Sequence, residues 1–537
     1  MVKRCGMHAG KALVESLKLH GVSRVFSVPG ESYLAVLDGL YQSGIENIVC
    51  RHEGGACYMA DASAKFTSKP GVAFVTRGPG AANAFVGIHT AWQDGDPVVL
   101  FVGLIPIADR HRESFQEFSP EAWFGTQAKA VFILDEPDRA SEIVADAFFC
   151  AQSGRPGPVI VGLPEDIIRQ PFDSELSPPR SISESPVCLD AVLEELEKAE
   201  NPALFVGGER WTPDACEQLT QWAESVPIPV LQDWHADDRL PDASPANAGS
   251  LGYGRHQGAA DLLDNADLVV CLGTVPGDVA TDGFQLRQSP RQRTIAITPD
   301  PELRGAGVRV ESHIVASPVE AVSALKPLKR GWPEWTAEKH QEFLDATRIP
   351  SVEPSSEYAH MNLVFAELQH YLKDPVYTVG AGNHTAWAQS FIPATSYPSQ
   401  LSTRNGSMGY SIPAAVAATL ETSRLVVAVC GDGEFLMNAQ ELATAVEHKC
   451  AFLAIVMDNS QFGTIRQHQE NHYPGRVSGT AIRNPDFACY AQAFGAYGEK
   501  VTRDSEIADT VRRCIEAVHS GVPAVLHVKV DPEILQP

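Results

Sequence analysis

Short apolar segments alternate with segments of helical periodicity along most of the chain. Runs of this kind, each separated from the next by room for one helix, predict parallel β-strands joined by crossover helices. The predicted strands are, in the first part, Arg24–Val28, Asn47–Cys50, Val72–Thr76, Val98–Val102 and Val159–Gly162; in the middle part, Ala203–Val206, Ile228–Leu231, Leu268–Leu272 and Thr294–Thr298; and in the last part, Val376–Val379, Leu425–Val429, Phe452–Met457 and Ala524–Val530. The pattern therefore predicts an α/β protein made of parallel sheets.

Two stretches interrupt this alternation. Gln170–Pro186 accumulates Pro and Ser without periodicity, as surface linkers do, and Leu328–Glu357 forms a second break. We therefore predict three domains, at residues 1–172, 187–328 and 357–537, each with a doubly wound parallel sheet. Residues 1–21 lack the long apolar core of a signal peptide and predict an ordinary amphipathic helix.

The composition narrows the class of protein. A chain of 537 residues is too long for one core, which agrees with several domains. The net charge of -25 argues against a nucleic-acid partner, because phosphate binding needs clustered Lys and Arg. The 11 cysteines include no C-x-x-C pair, which argues against a zinc site or a disulfide framework and favours a reducing compartment. No apolar run approaches the roughly 18 residues of a membrane span, so we predict a cytoplasmic protein with no membrane partner.

The triplet GDG follows the predicted strand Leu425–Val429 almost directly, and its acid is Asp432. This places Asp432 at the carboxyl edge of a parallel sheet, where ligands bind in such folds. A carboxylate beside phosphate groups needs a bridging cation, and Mg²⁺ takes one or two protein oxygens together with phosphate oxygens. Asn459, at the end of the next predicted strand, offers a second oxygen. Alternatively, Asp432 caps a helix and Asn459 forms a turn.

The 24 residues from Glu434 through Met457 leave room for one helix and one strand between these two oxygens. A GDG triplet, a gap of this length and a terminal Asn resemble the signature of thiamine diphosphate enzymes. The whole chain resembles the acetolactate (acetohydroxyacid) synthase and pyruvate oxidase family. The resemblance implies a pyrimidine-binding first domain, a Rossmann-like middle domain and a diphosphate-binding third domain. It also implies thiamine diphosphate and Mg²⁺ as cofactors.

In the third domain, the resemblance implies a set of metal and cofactor contacts. The side chains of Asp432 and Asn459 and the backbone carbonyl of Gln461 would hold Mg²⁺. The residue before Asn459 is Asp458, where the family commonly has a second Asn that does not bind the metal. The implied cofactor contacts, drawn from GDG, GNHTAW, NGSMGYSIPAA and the segment after Asn459, are Gly382, Asn383, His384, Gly406, Met408, Gly431, Gly433, Glu434, Phe462 and Gly463.

Several of these contacts have specific implied roles. Met408 would wedge between the two rings of a bent cofactor, and the backbone of Gly406 and Met408 would grip the pyrimidine. Gly382, Asn383 and His384 would touch the diphosphate, together with the backbone N–H groups of Gly433 and Glu434. Met408 as core filler and a solitary His384 as a structural hydrogen bonder are the alternatives.

The segment RHEGGA places Glu53 after the predicted strand Asn47–Cys50, at the start of a helix. By itself, such a Glu is a favourable charge at a helix N-terminus. Together with VPG and TRGPGAAN, however, it resembles the family's pyrimidine-binding domain. Glu53 would then be the catalytic acid that shares its proton with the aminopyrimidine ring, as a carboxyl group shielded from water can do. The further implied cofactor contacts are Val28, Pro29, Gly30, Thr76, Gly78 and Asn83.

Three positions bear on the substrate. ESFQEF resembles the synthase Phe-Gln-Glu segment, so Phe115 and Gln116 favour carboligation, whereas decarboxylases of the pyruvate type carry paired histidines there. His468 stands where synthases place the Trp that selects the larger acceptor, which weakens the usual preference for 2-oxobutyrate. Arg77 stands where many synthases have a small hydroxyl residue. It could clamp a substrate carboxylate, or it could be a paired structural arginine.

Two segments of the middle domain bear on whether the protein binds a flavin. GSLGYGRHQ (249–257) resembles the flavin-contacting run of the synthases, but CLGTVPGD (271–278) has Val275 where flavin-binding relatives carry Arg. Loss of that bidentate partner leaves bound FAD as the less favoured alternative.

We therefore predict decarboxylation of a pyruvate-like 2-oxo acid and ligation to a second carbonyl compound, as in acetolactate synthases. A non-ligating decarboxylase that releases an aldehyde is the nearest alternative. A catalytically idle relative and a nucleotide-binding protein are weaker ones, because the motif acids are present and neither a strand-following G-x-G-x-x-G nor a P-loop Lys is. Glu53 and Asp432 lie in different domains, and in the family they meet across subunits. The resemblance thus implies a homodimer or homotetramer with the active site at the subunit interface.

Overall fold

Each of the three predicted α/β regions contains one six-stranded parallel sheet. The structure is a computed structural model that describes residues 6–182, 186–534 and 537. The chain divides into two compact units, Met1–Ser183 and Glu184–Pro537, and the second unit holds the middle and third sheets. Three doubly wound parallel sheets confirm the predicted fold class.

The first unit is built on a sheet with the strand order β3-β2-β4-β5-β7-β6, and a short antiparallel pair, β1 with β8, joins the two ends of this region. Its strands are β1 (Met7–His8), β2 (Arg24–Ser27), β3 (Glu46–Val49), β4 (Gly71–Val75), β5 (Val98–Leu104), β6 (Ala130–Ile133), β7 (Val159–Pro164) and β8 (Pro171–Phe172). Its helices are α1 (Ala9–Leu19), α2 (Leu34–Leu40), α3 (Glu53–Thr67), α4 (Gly78–Asp94), α5 (Pro120–Phe124), α6 (Ala140–Gln152) and α7 (Glu165–Ile168).

The middle sheet has the order β11-β10-β9-β12-β13-β14, which is the strand order of a Rossmann fold. Its strands are β9 (Pro202–Val206), β10 (Val230–Gln232), β11 (Asn247–Ser250), β12 (Leu268–Leu272), β13 (Arg293–Thr298) and β14 (Ser312–Val315). Its helices are α8 (Asp190–Lys198), α9 (Pro213–Ser225), α10 (Gln257–Asn265), α11 (Pro318–Ser323) and α12 (Pro333–Ala346).

The third sheet has the order β16-β15-β17-β18-β20-β19, and it repeats the relative strand order of the first sheet. Its strands are β15 (Val376–Val379), β16 (Gln400–Leu401), β17 (Val426–Gly431), β18 (Leu453–Asp458), β19 (Tyr497–Val501) and β20 (Ala524–Lys529). Its helices are α13 (Met361–Leu368), α14 (His384–Phe391), α15 (Ser411–Glu421), α16 (Asp432–Asn438), α17 (Leu442–Glu447), α18 (Gly463–His472), α19 (Phe487–Ala493) and α20 (Ile507–His519). The strand order reverses between β15 and β17, so the loops that follow these two strands frame a crevice.

Helix α12 lies inside the second predicted break, Leu328–Glu357, which is therefore not irregular throughout. Two tryptophans anchor it to the middle domain. Nε1 of Trp332, directly before the helix, donates to the Ala199 carbonyl at 3.2 Å, and Nε1 of Trp335, within it, donates to the Pro202 carbonyl at 3.1 Å. The helix is polar on average, so the apolar alternation does not reveal it. We propose that the middle domain extends to the end of α12. Of the first predicted linker, residues 183–185 lie outside the described residues.

The middle and third domains are joined by four aspartates of the middle domain, which we call the acidic clamp: Asp233, Asp237, Asp238 and Asp242. The carboxylate of Asp237 accepts from Nε2 of Gln400 at 2.8 Å and from Nε2 of Gln389 at 3.0 Å. One oxygen of Asp238 accepts the backbone N–H groups of Ser399 and Gln400, at 2.7 and 3.0 Å.

The other two clamp residues extend this contact on either side. Asp242 exchanges hydrogen bonds with the backbone of Ala394, and Asp233 forms an ion pair with Arg404. The clamp thus holds β16 and the loop that follows it. The same loop carries Gly406 and Met408.

The clamp should make the stability of the protein depend on pH. Burial raises the pKa of Asp237 from its ordinary value of 3.8 to about 6, and hydrogen bonds from Ser250 and the two glutamines offset only part of that rise. Between these values the folded protein holds a proton that the unfolded chain releases, so the free energy of unfolding falls as pH rises from about 4 to 6. Asp237→Asn should remove up to about 3 kcal/mol of this fall.

Thermal unfolding of both proteins across that pH range measures the difference. The exposed Asp509→Asn serves as the control variant. Parallel profiles for wild type and Asp237→Asn would contradict the predicted titration.

Two general features of the described residues complete the fold. None of the helices in the described ranges is both long and apolar enough to cross a membrane. The ten cysteines in those ranges are all free thiols, and seven of them are buried.

Candidate active site

The loops after β15, β17 and β18 meet at the carboxyl edge of the third sheet, because these strands are neighbours. They enclose a cavity of about 270 Å³. Every residue of the third domain that the resemblance implied as a metal or cofactor contact lines this cavity, including Asp432, Asn459 and Gln461. Strand order thus brings together residues that are up to 81 positions apart in the sequence, from Gly382 to Gly463. Their binding roles stay predictions.

Asp432 begins helix α16 and is 2% exposed. Its Oδ1 accepts the Gly433 N–H at 2.8 Å, and its Oδ2 accepts the Ser460 N–H and Nδ2 of Asn484, each at 2.7 Å. Burial raises its pKa to about 6, although the hydrogen bond from Asn484 acts in the opposite direction. The side chain is therefore fixed in position beside the loop that carries Asn459.

Asp458, at the end of β18, lies beside Asp432; Lys529 compensates its charge, and His527 donates a further hydrogen bond to it. It accepts from Nε2 of His527 at 2.9 Å and from Nζ of Lys529 at 3.0 Å. Burial alone would raise its pKa, but hydrogen bonds from His527 and Lys529 hold that pKa well below its usual range. An acid at the family's Asn position is thus accommodated by partners on the neighbouring strand β20.

Helix α18 is tied to the loop after β15 through Asn383. Oγ1 of Thr464 donates to Oδ1 of Asn383 at 2.7 Å, and Nδ2 of Asn383 donates to Oε1 of Gln467 at 3.2 Å. His468 lies on the same helix but is not among the residues that line the cavity. Its predicted role in acceptor choice stays a prediction.

In the first unit, Glu53 begins helix α3 and accepts a hydrogen bond from Nδ2 of Asn83 at 2.9 Å. The helix is capped by His52, whose Nδ1 accepts the Gly54 N–H at 3.0 Å, so the Glu53 side chain is not needed as the cap. The predicted catalytic acid Glu53, on α3, and the predicted cofactor contact Asn83, on α4, are thus in direct contact.

The remaining predicted contacts of the first unit also lie at the carboxyl edge of its sheet. Val28, Pro29 and Gly30 follow β2, while Thr76 and Gly78 follow the neighbouring strand β4. Gly30 packs so closely on Thr76 that a Cβ there would lie 2.4 Å from the Thr76 Cβ. The β2 and β4 loops are therefore in contact at the point where the strand order reverses.

Arg77 is 6% exposed and is paired within the first unit. It donates to Glu31 at 3.1 Å and to Glu165 at 2.8 Å. This environment favours the alternative of a paired structural arginine. The role of Arg77 as a substrate clamp stays a prediction.

The segment with Phe115 and Gln116 forms a loop whose turns are held by Glu117. The Glu117 carboxylate accepts the N–H groups of His111 at 2.6 Å and Ser114 at 3.0 Å. Phe115 is 73% exposed, and the carbonyl of Gln116 lies against Gly78. Gln116 has a positive φ of 63°, which is uncommon for a residue with a side chain.

Several cavity residues were not predicted from the sequence: Ala381, Trp387, Met457, Thr464, Ile465, Val530 and Ile534. Ala381, Trp387, Met457, Thr464 and Ile465 lie within the motif segments or directly beside them, so proximity to a motif is a usable signal for them. Val530 and Ile534 come from the end of the chain, where no motif marks them.

Comparison with known families matches the chain in three parts. Residues 7–123 match the thiamine pyrophosphate enzyme N-terminal TPP binding domain, and residues 189–325 match the central domain of the same enzymes. Residues 380–528 match the C-terminal TPP binding domain.

Individual relatives match over nearly the full length. The acetolactate synthase isozyme 2 large subunit of Escherichia coli is 30% identical over 98% of this chain and 96% of its own length. The chain belongs to the thiamine pyrophosphate enzyme family. Other similar members are the acetolactate synthase of Bacillus subtilis, 29% identical over 97% of this chain and 92% of its own, and a probable acetolactate synthase large subunit of Methanocaldococcus jannaschii, 29% identical over 98% and 92%.

Membership of the thiamine pyrophosphate family makes this chain a thiamine diphosphate-dependent enzyme of the acetolactate synthase type. The cavity of the third domain fits that cofactor chemically. Carboxylate, amide and carbonyl oxygens are the ligands that Mg²⁺ prefers, and Gly382 and Gly431 line the same cavity.

Two positions of the middle domain bear on whether this thiamine pyrophosphate family member binds a flavin. In the segment that resembles the flavin-contacting run, Gly252 lies against the indole ring of Trp234. Val275 is buried in the hydrophobic core of the middle domain. One residue of each segment is thus packed on the protein's own side chains.

Proposed function

We propose that this enzyme decarboxylates a pyruvate-like 2-oxo acid and joins the remaining acyl unit to a second carbonyl compound, with Mg²⁺ as the metal. The observation that carries the proposal is the cavity of the third domain, because it gathers the whole predicted metal and diphosphate set at one sheet edge. The names of the full-length relatives, which are acetolactate synthases, support ligation rather than simple decarboxylation.

Each group of residues has a proposed task. Asp432, Asn459 and the carbonyl of Gln461 hold Mg²⁺ against the diphosphate, while Gly382 and His384 border the same anion. When bound, thiamine diphosphate supplies the nucleophilic carbon and the electron sink for decarboxylation.

Glu53 holds and returns a proton at its carboxyl group, and Asn83 orients that group through their hydrogen bond. The buried side chains of Trp387 and Met457 exclude water from the base of the cavity. We further propose a homodimer or homotetramer in which Glu53 of one subunit serves the cavity of another, as the family resemblance implies.

With pyruvate as both donor and acceptor, the carboxylate of the donor leaves as carbon dioxide. The donor's carbonyl carbon then bonds to the carbonyl carbon of the acceptor, and a proton completes the new alcohol. The product is acetolactate. We propose that this proceeds without bound flavin, because Val275 stands where flavin-binding relatives carry Arg and is buried in the hydrophobic core.

The purified protein, incubated with thiamine diphosphate, Mg²⁺ and pyruvate, should form acetolactate and release one carbon dioxide for every two pyruvates consumed. Mass spectrometry of the products, extended to a panel of 2-oxo acids and aldehydes, measures this. A chelator-treated sample is the control, and flavin absorbance is read on the same preparation.

Two outcomes would contradict the proposal. Free acetaldehyde without any ligated product would favour the non-ligating decarboxylase instead. No carbon dioxide from any 2-oxo acid would favour a catalytically idle relative. A stoichiometric flavin band would overturn the flavin-free proposal alone.

A further inference from the structure

The side chain of Glu434 has no role in the functional site described so far. Only its backbone N–H was predicted to contact the diphosphate, yet the residue lines the cavity, is 2% exposed and has an acidic side chain. Burying an ionised carboxylate costs several kcal/mol unless it is paired and hydrogen-bonded. The contacts that compensate this cost therefore indicate what the side chain does.

The two oxygens of the Glu434 carboxylate differ in their contacts: Oε1 is hydrogen-bonded, whereas Oε2 has a close contact that is not a hydrogen bond. Oε2 lies 2.8 Å from Nε2 of His384, which is itself buried. Oε1 accepts the Ser411 N–H at 3.3 Å and a second hydrogen bond from the Ser411 hydroxyl. Gly380 leaves the space for this carboxylate, since a Cβ there would lie 2.1 Å from Oε1.

The close approach of Nε2 to Oε2 of Glu434 corresponds to one orientation of the His384 ring. With Nε2 facing Glu434, the Nδ1 edge lies over the two glycine turns at the ends of β15 and β17. A Cβ on Gly382 would lie 2.8 Å from Nδ1, and a Cβ on Gly431 would lie 2.9 Å from it. Both glycines line the cavity, so the Nδ1 edge borders the place where an anionic ligand would sit.

We propose that Glu434 is a positioning residue, whose carboxylate holds His384 with its Nδ1 edge toward the diphosphate and thereby strengthens cofactor binding. A carboxylate that lies against one nitrogen of a functional imidazole favours one orientation of the ring and so places its other nitrogen. Ser411 in turn holds the carboxylate in place. The inference rests on the proposed function only in that the cavity binds thiamine diphosphate, and it requires no particular reaction.

Glu434→Gln should weaken thiamine diphosphate binding by about tenfold, the lower end of the effect of losing an orienting partner. Calorimetric titration of the protein with thiamine diphosphate at fixed Mg²⁺ measures the dissociation constant without any substrate. At saturating cofactor, turnover should return to within about threefold of wild type, because the loss lies in binding. Glu441→Gln, which alters another fully buried glutamate of the same domain, is the matched control and should bind normally.

A double-mutant cycle separates positioning from a general structural effect. If Glu434 acts through His384, then Glu434→Gln should cost little further affinity in a His384→Ala background. Equal losses in both backgrounds, or an unchanged dissociation constant in Glu434→Gln alone, would overturn the inference.

Melting temperatures of the cofactor-free variants show whether each one folds. If Glu434→Gln does not fold, Glu434→Asp keeps the charge and withdraws the carboxylate from His384, and it is judged by the same criteria. Because binding is measured without substrate, a wrong assignment of the reaction would leave these results unaffected.

Discussion

Glu53→Gln should lower turnover by about 10²- to 10⁴-fold while thiamine diphosphate still binds. Glutamine has the same shape, and its amide oxygen can accept the hydrogen bond that Asn83 now donates to the carboxylate. It cannot release or take up the proton that the proposed role requires. The expected result is therefore a protein that retains its cofactor and loses most of its catalysis.

Steady-state kinetics with pyruvate, together with calorimetric titration of thiamine diphosphate, separate the two effects in Glu53→Gln. Glu46→Gln is the matched control in the same domain, since Glu46 is exposed and pairs with Arg24 at 3.0 Å. Near-normal turnover in Glu53→Gln would remove Glu53 from the catalytic role. Loss of cofactor binding in that variant would assign it a binding role instead.

Asp432→Ala should abolish the Mg²⁺-dependent part of thiamine diphosphate binding. Loss of an outer partner of a metal site costs roughly 10- to 100-fold in affinity, so loss of the proposed ligand should exceed about 100-fold. The carboxylate is also the acceptor of the Ser460 N–H at 2.7 Å, which places it next to the loop of Asn459. Both the charge and its position are therefore lost in the alanine variant.

Calorimetry with and without Mg²⁺ measures the change in Asp432→Ala. Wild type treated with a chelator should bind thiamine diphosphate as weakly as the variant does, and the exposed Asp509→Ala should bind it as tightly as wild type. Unchanged Mg²⁺-dependent affinity in Asp432→Ala would refute the metal assignment.

The interior of each sheet could be predicted from the apolar pattern, but most of the edges could not. Strands such as β17 and β18 are buried on both faces and therefore form continuous apolar runs. The edge strand β14 is exposed or half-buried along its length, and the edge strand β16 is only two residues long. Such strands form because they pair with a neighbouring strand, and the sequence of the strand itself does not show that pairing.

The residues of the site also divide into those that nearby sequence predicts and those that depend on residues far away in the chain. The cavity set of the third domain could be predicted because each member lies in or beside a short motif at a strand end. The pairing of His384 with Glu434 could not, because it joins residues 50 positions apart across two strands. Arg77 illustrates the converse, since its motif suggested a substrate clamp while the fold supplies Glu165, 88 positions away, as a partner.

The acidic clamp also bears on how this protein can evolve. Its acids belong to the middle domain, while most of their donors belong to the third, among them the backbone N–H groups of Ser399 and Gln400. A recombination event that replaced one domain alone would leave buried carboxylates facing a foreign surface. We therefore expect the middle and third domains to be inherited together, independently of changes in the first domain.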